Sequence, residues 1–269
     1  MAGCCESETR AARGGPALTV ALAGNPNCGK SALFNAFTGI RQKTGNWPGV
    51  TVERKEGRFE IDHREVAVVD LPGIYSLDAG SLDEKVTRDF LLSREADLIV
   101  NVLDAANLER NLYLTVQLLE MGVPVVLALN MMDVARKRGI EIDKGALAKK
   151  LGCPVIPVVA VSGEGLTELK ARMLAVVDGH EQAGFSLALD EVVEQAVADL
   201  APELEQVPAS NRRWLAIEII EHDADVHGGL PATLVEKQSY WRQQIMARTG
   251  EEADIQIADT RYSHAHALA

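Results

Sequence analysis

The chain has 269 residues, of which 47% are hydrophobic and 4% aromatic, and its formal net charge is −12. This length allows one large domain or two modest ones, each able to bury a core. The acidic balance disfavours nucleic acid as a partner, because neutralising its phosphates requires a basic face. The four cysteines form neither a disulfide framework nor a zinc-ligand pattern, so a reducing compartment fits best.

Residues 1–16 predict a flexible leader, since small, charged and glycine residues bury too little apolar surface to offset the entropy of ordering. The adjacent Cys4 and Cys5 could take a lipid or a metal, but an incidental tail is our interpretation. No window of the sequence approaches the roughly 20 apolar residues that span a bilayer. We therefore expect the chain, as given, to be soluble.

The strongest pattern satisfies G-x-x-x-x-G-K-[ST] and lies between a predicted strand, Leu18–Ala23, and a predicted helix that ends near Gly39. Glycines in such a loop let backbone N–H groups converge on an anion, and the helix dipole adds positive potential. Lys30 is predicted to lie against the β- and γ-phosphates, and the Ser31 hydroxyl to bind Mg²⁺. Nucleotide contacts are predicted along the whole loop, at Gly24, Asn25, Asn27, Cys28, Gly29, Lys30, Ser31 and Ala32.

Residues 41–56 show no sustained period and are rich in glycine and proline, so we predict a loop that is longer than a mere connection requires. Loops of this length are usually functional or disordered. The Thr51 hydroxyl could swing onto Mg²⁺ and sense the γ-phosphate, and we predict that Gly49 and Val50 contact the nucleotide with it.

Two strand-like runs follow, Gly57–Ile61 and Glu65–Val69, and the second ends in Asp70-Leu-Pro-Gly73. D-x-x-G after a strand is the Mg²⁺ and γ-phosphate sensor of GTPases. Asp70 would hold the Mg²⁺ shell, and the backbone N–H of Gly73 would meet the γ-phosphate. The acidic, glycine-containing stretch 74–84 is then predicted to be mobile.

Further along, predicted buried strands at Leu98–Leu103 and Val123–Leu129 flank a predicted helix, Leu108–Met121. The second strand ends in N-x-x-D, which reads Asn130-Met131-Met132-Asp133. The Asp133 carboxylate can accept two hydrogen bonds from guanine, which adenine cannot supply, and Asn130 would tie the base to the phosphate loop. This pattern favours guanine over adenine.

The last predicted strand, Val155–Val159, is followed by Ala160-Val161-Ser162-Gly163, where a backbone N–H normally meets the guanine O6. The usual Ser-Ala pair is absent, but a backbone contact tolerates different side chains. We therefore include Ala160, Val161 and Ser162 in the predicted site.

Beyond a predicted helix at Gly165–Val177, the pattern changes to helical spacing without further β-alternation. The predicted organisation is a leader 1–16, an α/β G domain 17–178, a helical domain 179–262 and a tail 263–269. Arg212-Arg213-Trp214 is interpreted as a helix start with Trp214 in the core. His264 and His266 could bind a transition metal, but we interpret them as part of a frayed terminus.

Together with Gly45–Glu53 and Asn107–Tyr113, these motifs resemble the cytoplasmic N-terminal part of the ferrous iron transport protein B (FeoB) family, over roughly Leu18–Tyr262. The resemblance implies a Ras-like P-loop GTPase domain, with a mostly parallel sheet flanked by helices, followed by a small all-α domain that tightens GDP binding. It also implies switch I around Gln42–Glu56 and switch II from Asp70 to about Asp83.

Members of that family continue into a transmembrane iron-permease region. The resemblance therefore implies GTP and GDP as ligands, a position at the cytoplasmic face of the bacterial inner membrane, and that permease region of the parent chain as a partner. Homo-oligomerisation is left open.

Ile74 follows Gly73, where Ras-type catalysis would place a water-orienting Gln, so intrinsic hydrolysis is expected to be slow. In the potassium-activated GTPases that the family resembles, an Asn at the position of Asn27 offers its side-chain oxygen to K⁺. The implied cofactors are Mg²⁺ and an activating K⁺. The implied roles are catalytic for Lys30, Thr51 and Gly73, Mg²⁺-binding for Ser31, Thr51 and Asp70, and K⁺-binding for Asn27.

A GTPase that gates a ferrous iron transporter is the leading prediction. One alternative is a nucleotide-sensing binding module in which turnover is incidental. Another is a cytosolic GTPase that acts on the ribosome or on tRNA, but the negative net charge disfavours such a partner.

Overall fold

The computed structural model describes residues 18–39, 42–78, 80–179, 184–222 and 230–269, without the side chain of Ser210. The predicted leader, with Cys4 and Cys5, lies outside the described residues. Among the helices in these ranges, none combines the length and the apolar character that crossing a bilayer requires.

A mixed sheet organises the first part of the chain. Its seven strands lie in the order β2-β3-β4-β1-β5-β6-β7. Strand β3 pairs antiparallel with β2 and with β4, whereas β4, β1, β5, β6 and β7 run parallel. The strands are β1 Leu18–Gly24, β2 Gln42–Asn46, β3 Glu53–Ile61, β4 Arg64–Asp70, β5 Leu98–Asp104, β6 Val125–Asn130 and β7 Val155–Pro157.

Helices cover both faces of this sheet, which is why β1, β5 and β6 are nearly continuous apolar runs. They are α1 Lys30–Thr38, α2 Leu82–Leu92, α3 Leu108–Glu120, α4 Met132–Lys137, α5 Lys144–Leu151 and α6 Leu166–Val177. On one face, Leu22 of β1 belongs to the same buried cluster as Phe34 of α1 and Met173 of α6. On the other, Asn101 of β5 accepts a hydrogen bond from Thr115 of α3.

The parallel strands fix where a ligand can lie. Strand β1 ends at Gly24, β4 at Asp70 and β6 at Asn130, and each of these residues begins one of the predicted motifs. Because parallel strands end at a common edge of the sheet, the three motifs meet there. This agrees with the fold class predicted from the sequence.

A second unit is all-α among the described residues. It contains α7 Glu191–Leu200, α8 Ala209–Glu221, α9 Ala232–Thr249 and α10 Ala253–Leu268. Residues Val116–Gly122, which include the last turns of α3, also belong to it. Its core includes Val193, Ile217, Ile245 and Ile257. Trp214, predicted to lie in the core at a helix start, is 2% exposed.

The structure corrects the prediction of an irregular loop over residues 41–56. Residues Gln42–Asn46 form β2, which pairs with the first residues of β3 from Asn46↔Glu53 to Gln42↔Gly57. Every residue of β2 is exposed. A polar edge strand of this kind is held by its backbone ladder and carries no apolar alternation for sequence analysis to detect.

The prediction of a frayed tail at 263–269 is wrong, because α10 continues to Leu268. Its buried residues recur every fourth position, at Ala253, Ile257, Arg261 and Ala265, so one face of the helix packs along its whole length. Within this helix, the ring of His264 packs edge-on against Phe185, with centroids 5.8 Å apart.

The stretch 74–84 is only partly irregular, because α2 begins at Leu82. Ser81 accepts a hydrogen bond from the Glu84 N–H, and the Glu84 carboxylate accepts one from the Ser81 N–H. This capping box satisfies two N–H groups at the helix start that would otherwise lack partners. Its S-x-x-E signature was present in the sequence.

Candidate functional site

The predicted phosphate loop leaves the end of β1 and leads into α1. Asn27 and Gly29 both adopt left-handed backbone conformations, with φ of 65° and 87°. Loops with such residues turn successive N–H groups towards one side and form anion-binding concavities. A Cβ atom on Gly29 would overlap the Nδ2 atom of Asn130, so the close approach of these two motifs requires glycine.

Lys30 and Asp70 meet at the centre of the site. The Lys30 Nζ donates to Asp70 Oδ1 at 2.6 Å, and both side chains are largely buried. Lys30 is the first residue of α1 and Asp70 the last of β4, so this ion pair joins the phosphate loop to the D-x-x-G motif. Ser31 follows Lys30 and is exposed.

The D-x-x-G segment packs against the phosphate loop. A Cβ atom on Gly73 would lie 3.1 Å from the Cα of Pro26, and the Ile74 N–H donates to the Gly24 carbonyl at 3.3 Å. The absence of a side chain at residue 73 therefore lets the two backbones approach each other. Gly73 thus lies beside the loop that is predicted to hold phosphate.

The Asn130 side chain joins three loops. Its Nδ2 donates to the Cys28 carbonyl at 3.0 Å, and its Oδ1 accepts from the Ala160 N–H at 3.0 Å. Met131 has a left-handed backbone, with φ of 60°, and starts α4, whose first turn carries the half-buried Asp133. The structure thus brings the predicted base-binding motif to the phosphate loop and to Ala160.

Beyond Ala160, two predicted residues are open to solvent. Val161 is 84% exposed, and Ser162 is exposed with its hydroxyl 3.3 Å from the Val159 carbonyl. This places the backbone of the loop, rather than its side chains, next to Asn130.

The switch I residues that are predicted to contact the nucleotide lie in the loop between β2 and β3. The hydroxyl of Thr51 is exposed and makes no hydrogen bond with any described residue. Gly49, with φ of 75°, and the half-buried Val50 precede it in the loop between β2 and β3.

A buried polar network under the phosphate loop was missed by sequence analysis. Asn101 of β5 donates to the Ala23 carbonyl at 3.4 Å and accepts from the Thr115 hydroxyl at 2.7 Å. Asn111 accepts from the Asp104 N–H at 3.3 Å. A signal was present, because Asn101 interrupts the otherwise apolar run Leu98–Leu103.

Arg110 was also missed, although it lies within the run Asn107–Tyr113. The Asn25 side chain donates to the Arg110 carbonyl at 3.1 Å, which ties the phosphate loop to the first turn of α3. The Arg110 guanidinium lies over the Tyr75 ring, 4.2 Å from its centroid. One residue therefore contacts both the phosphate loop and the segment after Gly73.

Cys28 is a structural rather than a reactive member of the loop. Burial raises the pKa of its thiol to about 11, although Lys30 and nearby N–H groups oppose the rise. Cys153 behaves alike, with a pKa raised to about 12 by burial. Nucleophilic chemistry needs the thiolate, so neither thiol is suited to it at neutral pH.

Comparison with protein families identifies both parts of the chain. Residues 18–173 match the family model described as ferrous iron transport protein B. Residues 190–269 match the model of the FeoB cytosolic helical domain.

Curated relatives include the Fe(2+) transporters FeoB of Salmonella typhimurium (strain LT2) and Escherichia coli (strain K12). They are 44% identical to this chain over 258 and 256 residues, covering 91% of this chain and 32% of each relative. The chain therefore spans about a third of the length of the curated relatives it matches.

Solved structures of similar proteins agree with the observed fold. A mutant of S. thermophilus NFeoB bound to mGDP is 37% identical, with a TM-score of 0.87 over 93% of this chain and 97% of that chain. Another S. thermophilus mutant, bound to GMPPNP, is 38% identical, with a TM-score of 0.82 over 93% and 98%. The cytosolic domain of L. pneumophila FeoB is 38% identical, with a TM-score of 0.79 over 93% and 97%. The predicted fold class is confirmed, and the chain belongs to the FeoB family, with a Ras-like G domain followed by the cytosolic helical domain.

Proposed function

We propose that this chain binds and hydrolyses GTP and acts as the regulatory part of a ferrous iron transporter at the cytoplasmic face of the membrane. The observation that carries the proposal is the double hydrogen bond of Asn130 to Cys28 and Ala160, which fixes the motif that presents Asp133. The nucleotides bound by solved relatives, mGDP and GMPPNP, support the same ligand class.

Mg²⁺ fits the oxygen donors of the site. The carboxylate of Asp70 and the hydroxyl of Ser31 are hard ligands of the kind that Mg²⁺ prefers, and Thr51 could add a third from switch I. Bound Mg²⁺ would neutralise charge on the β- and γ-phosphates. In this proposal Lys30 orients the phosphates, while Gly73 donates its backbone N–H to the γ-phosphate.

The substitution Asp133→Asn tests the choice of base. The variant should lose GTP affinity by a few kcal/mol, because an amide cannot accept both guanine hydrogen bonds, and it should gain affinity for xanthosine nucleotides. Equilibrium binding of fluorescent GTP, ATP and XTP analogues would measure both effects.

A matched control is Asp143→Asn, which changes the same side chain at the exposed start of α5 and preserves a good helix cap. It should leave nucleotide affinity unchanged. Equal affinity of the unmutated protein for ATP and GTP would contradict the proposed specificity.

We also propose that K⁺ stimulates hydrolysis through Asn27. This residue is exposed and left-handed, a conformation that Asn tolerates better than most residues. Its amide oxygen could therefore bind a cation beside the phosphates, where negative charge develops on the phosphoryl group during transfer.

We expect GTP hydrolysis to be faster in K⁺ than in Na⁺ at equal ionic strength, and Asn27→Gly to remove the difference. Glycine is chosen because alanine would be strained at this φ. Single-turnover hydrolysis in both salts, with GDP affinity as the control, would measure the effect. Identical rates of the unmutated protein in the two salts would argue against the K⁺ site.

One observation favours the alternative of a nucleotide-sensing module. Ile74 is 2% exposed, so the residue after Gly73 offers no side chain to orient an attacking water. If single-turnover hydrolysis proved far slower than GDP release, nucleotide occupancy rather than turnover would carry the signal.

A further inference from the structure

The loop between β2 and β3 carries Thr51, and Trp47 holds both sides of that loop. The Trp47 N–H donates to the Val52 carbonyl at 2.9 Å, and the Trp47 carbonyl accepts from the Val50 N–H at 3.2 Å. Thr51 lies between the two residues held in this way. Its position therefore depends on where Trp47 is placed.

The turn inside the loop is stiff. Pro48 and Gly49 occupy the two central positions between Trp47 and Val50, and Gly49 has a φ of 75°. Proline followed by a glycine with positive φ is the signature of a type II turn. A displacement of Trp47 would thus be passed on to Thr51 rather than absorbed by the turn.

The Trp47 side chain is the anchor of the whole segment. From Gln42 to Val52 it is the only buried residue, with 6% exposure. The Arg54 guanidinium of β3 lies 4.4 Å from the centroid of its ring, and the Phe90 ring of α2 packs edge-on at 5.3 Å. Cation–π and T-shaped contacts of this kind fix both the depth and the orientation of an indole ring.

Arg54 also contacts a carboxylate. Its Nη2 lies 2.6 Å from Glu56 on the same strand, while its guanidinium lies over the indole. The indole Nε1 is buried and has no hydrogen-bond partner among the residues that the structure describes.

We infer that Trp47 is a positioning residue for Thr51, and that the contacts of its indole with Arg54 and Phe90 form an aromatic latch that sets the placement of switch I. The inference rests on the proposed function, because Thr51 acts in hydrolysis only if the chain is a GTPase. Phe90 belongs to α2, the helix that follows switch II. The latch therefore places switch I against the element next to switch II.

The latch is tested without nucleotide by ¹⁹F NMR of protein containing 5-fluorotryptophan. The chain has three tryptophans, and the Trp47 resonance is identified by its loss in Trp47→Phe. Phe90→Leu should shift this resonance, because the edge-on ring is removed. The matched control is Phe37→Leu, which removes a ring of similar burial stacked on Phe59 and should leave the resonance in place.

Hydrolysis then tests the positioning role. Phe90→Leu should slow single-turnover GTP hydrolysis by roughly 10- to 100-fold, the effect expected when a catalytic group is misplaced by about an ångström. GDP affinity should change by less than about threefold, since Thr51 is expected to act only with the γ-phosphate present. Trp47→Phe keeps an aromatic ring, so its rate of single-turnover hydrolysis should lie between those of Phe90→Leu and the unmutated protein.

A double variant separates positioning from general destabilisation. Phe90→Leu combined with Thr51→Ala should hydrolyse GTP no more slowly than Thr51→Ala alone, because both changes remove the same function. Three results would overturn the latch and leave the proposed function intact. They are a normal hydrolysis rate in Phe90→Leu, additive losses of rate in the double variant, and an equal loss of rate in Phe37→Leu. Failure of the unmutated protein to bind GTP would instead overturn the proposed function, and this inference with it.

Discussion

Replacing Gly29 with alanine is expected to abolish tight nucleotide binding. The new Cβ would overlap the Nδ2 of Asn130, and the φ of 87° would itself be strained for alanine. Relief of the overlap must break the hydrogen bonds that Asn130 makes with Cys28 and Ala160. Backbone strain and a buried amide without partners each cost about 1–3 kcal/mol, so affinity should fall by roughly a hundredfold or more.

Gly39 offers a matched control at the other end of the same helix. It also has a positive φ, of 56°, but a Cβ atom there would meet no atom of the described residues within 4 Å. Gly39→Ala should therefore reduce the free energy of unfolding by about 1–3 kcal/mol, through backbone strain at φ of 56° and ψ of −122°, and leave nucleotide affinity unchanged. Equilibrium binding of labelled GDP and chemical unfolding would measure both variants. Normal GDP affinity in Gly29→Ala would contradict the predicted role of this close approach.

The phosphate loop, D-x-x-G and N-x-x-D lie at the ends of strands, as their patterns predict, because each is a short motif that directly follows an apolar strand. The hydrogen bond between Asn25 and the Arg110 carbonyl could not be predicted in that way. It depends on where the first turn of α3 lies beside β1, which no spacing between the two residues reveals.

The missed elements share a physical reason. Strand β2 is polar and held by its backbone, and α10 buries Arg261, a residue type that is normally exposed. Hydrophobic periodicity therefore indicated neither β2 nor the continuation of α10 beyond residue 262. Helix α2 differs, because its capping box at Ser81 and Glu84 was readable from the sequence and would have marked its start.

The organisation of the second unit was also beyond sequence analysis. Val116, near the middle of α3, is fully buried in the core of that unit. Glu120 in the same helix pairs with Arg261, 141 residues further along the chain. The change of sequence pattern suggests truncating the chain near Asp178. Such a truncation would leave residues of α3, including Val116, without the helices that bury them.

Replacing Arg261 with methionine should strongly destabilise the second unit. The Arg261 side chain is fully buried, with its Nε 2.8 Å from Glu120 and its Nη1 2.7 Å and 2.8 Å from the two oxygens of Glu221. Methionine preserves much of the apolar stem but leaves two buried carboxylates without their cation. Breaking a buried ion pair from one side typically costs about 3–5 kcal/mol, which is comparable to a large share of the stability of a small domain.

A triple variant distinguishes the loss of charge pairing from the loss of packing. It adds Glu120→Gln and Glu221→Gln to Arg261→Met. This triple variant should regain much of the lost free energy of unfolding, because neutral amides replace the two carboxylates that paired with Arg261. Lys237→Met is the surface control: Lys237 pairs with Asp199 and Glu203 near solvent, where ion pairs contribute little, so its removal should destabilise far less than Arg261→Met. Urea unfolding followed by tryptophan fluorescence would rank the variants. If the triple variant were no more stable than Arg261→Met, lost packing rather than lost charge pairing would account for the fall in stability. The three buried charges would then not be what holds α3 and α10 together.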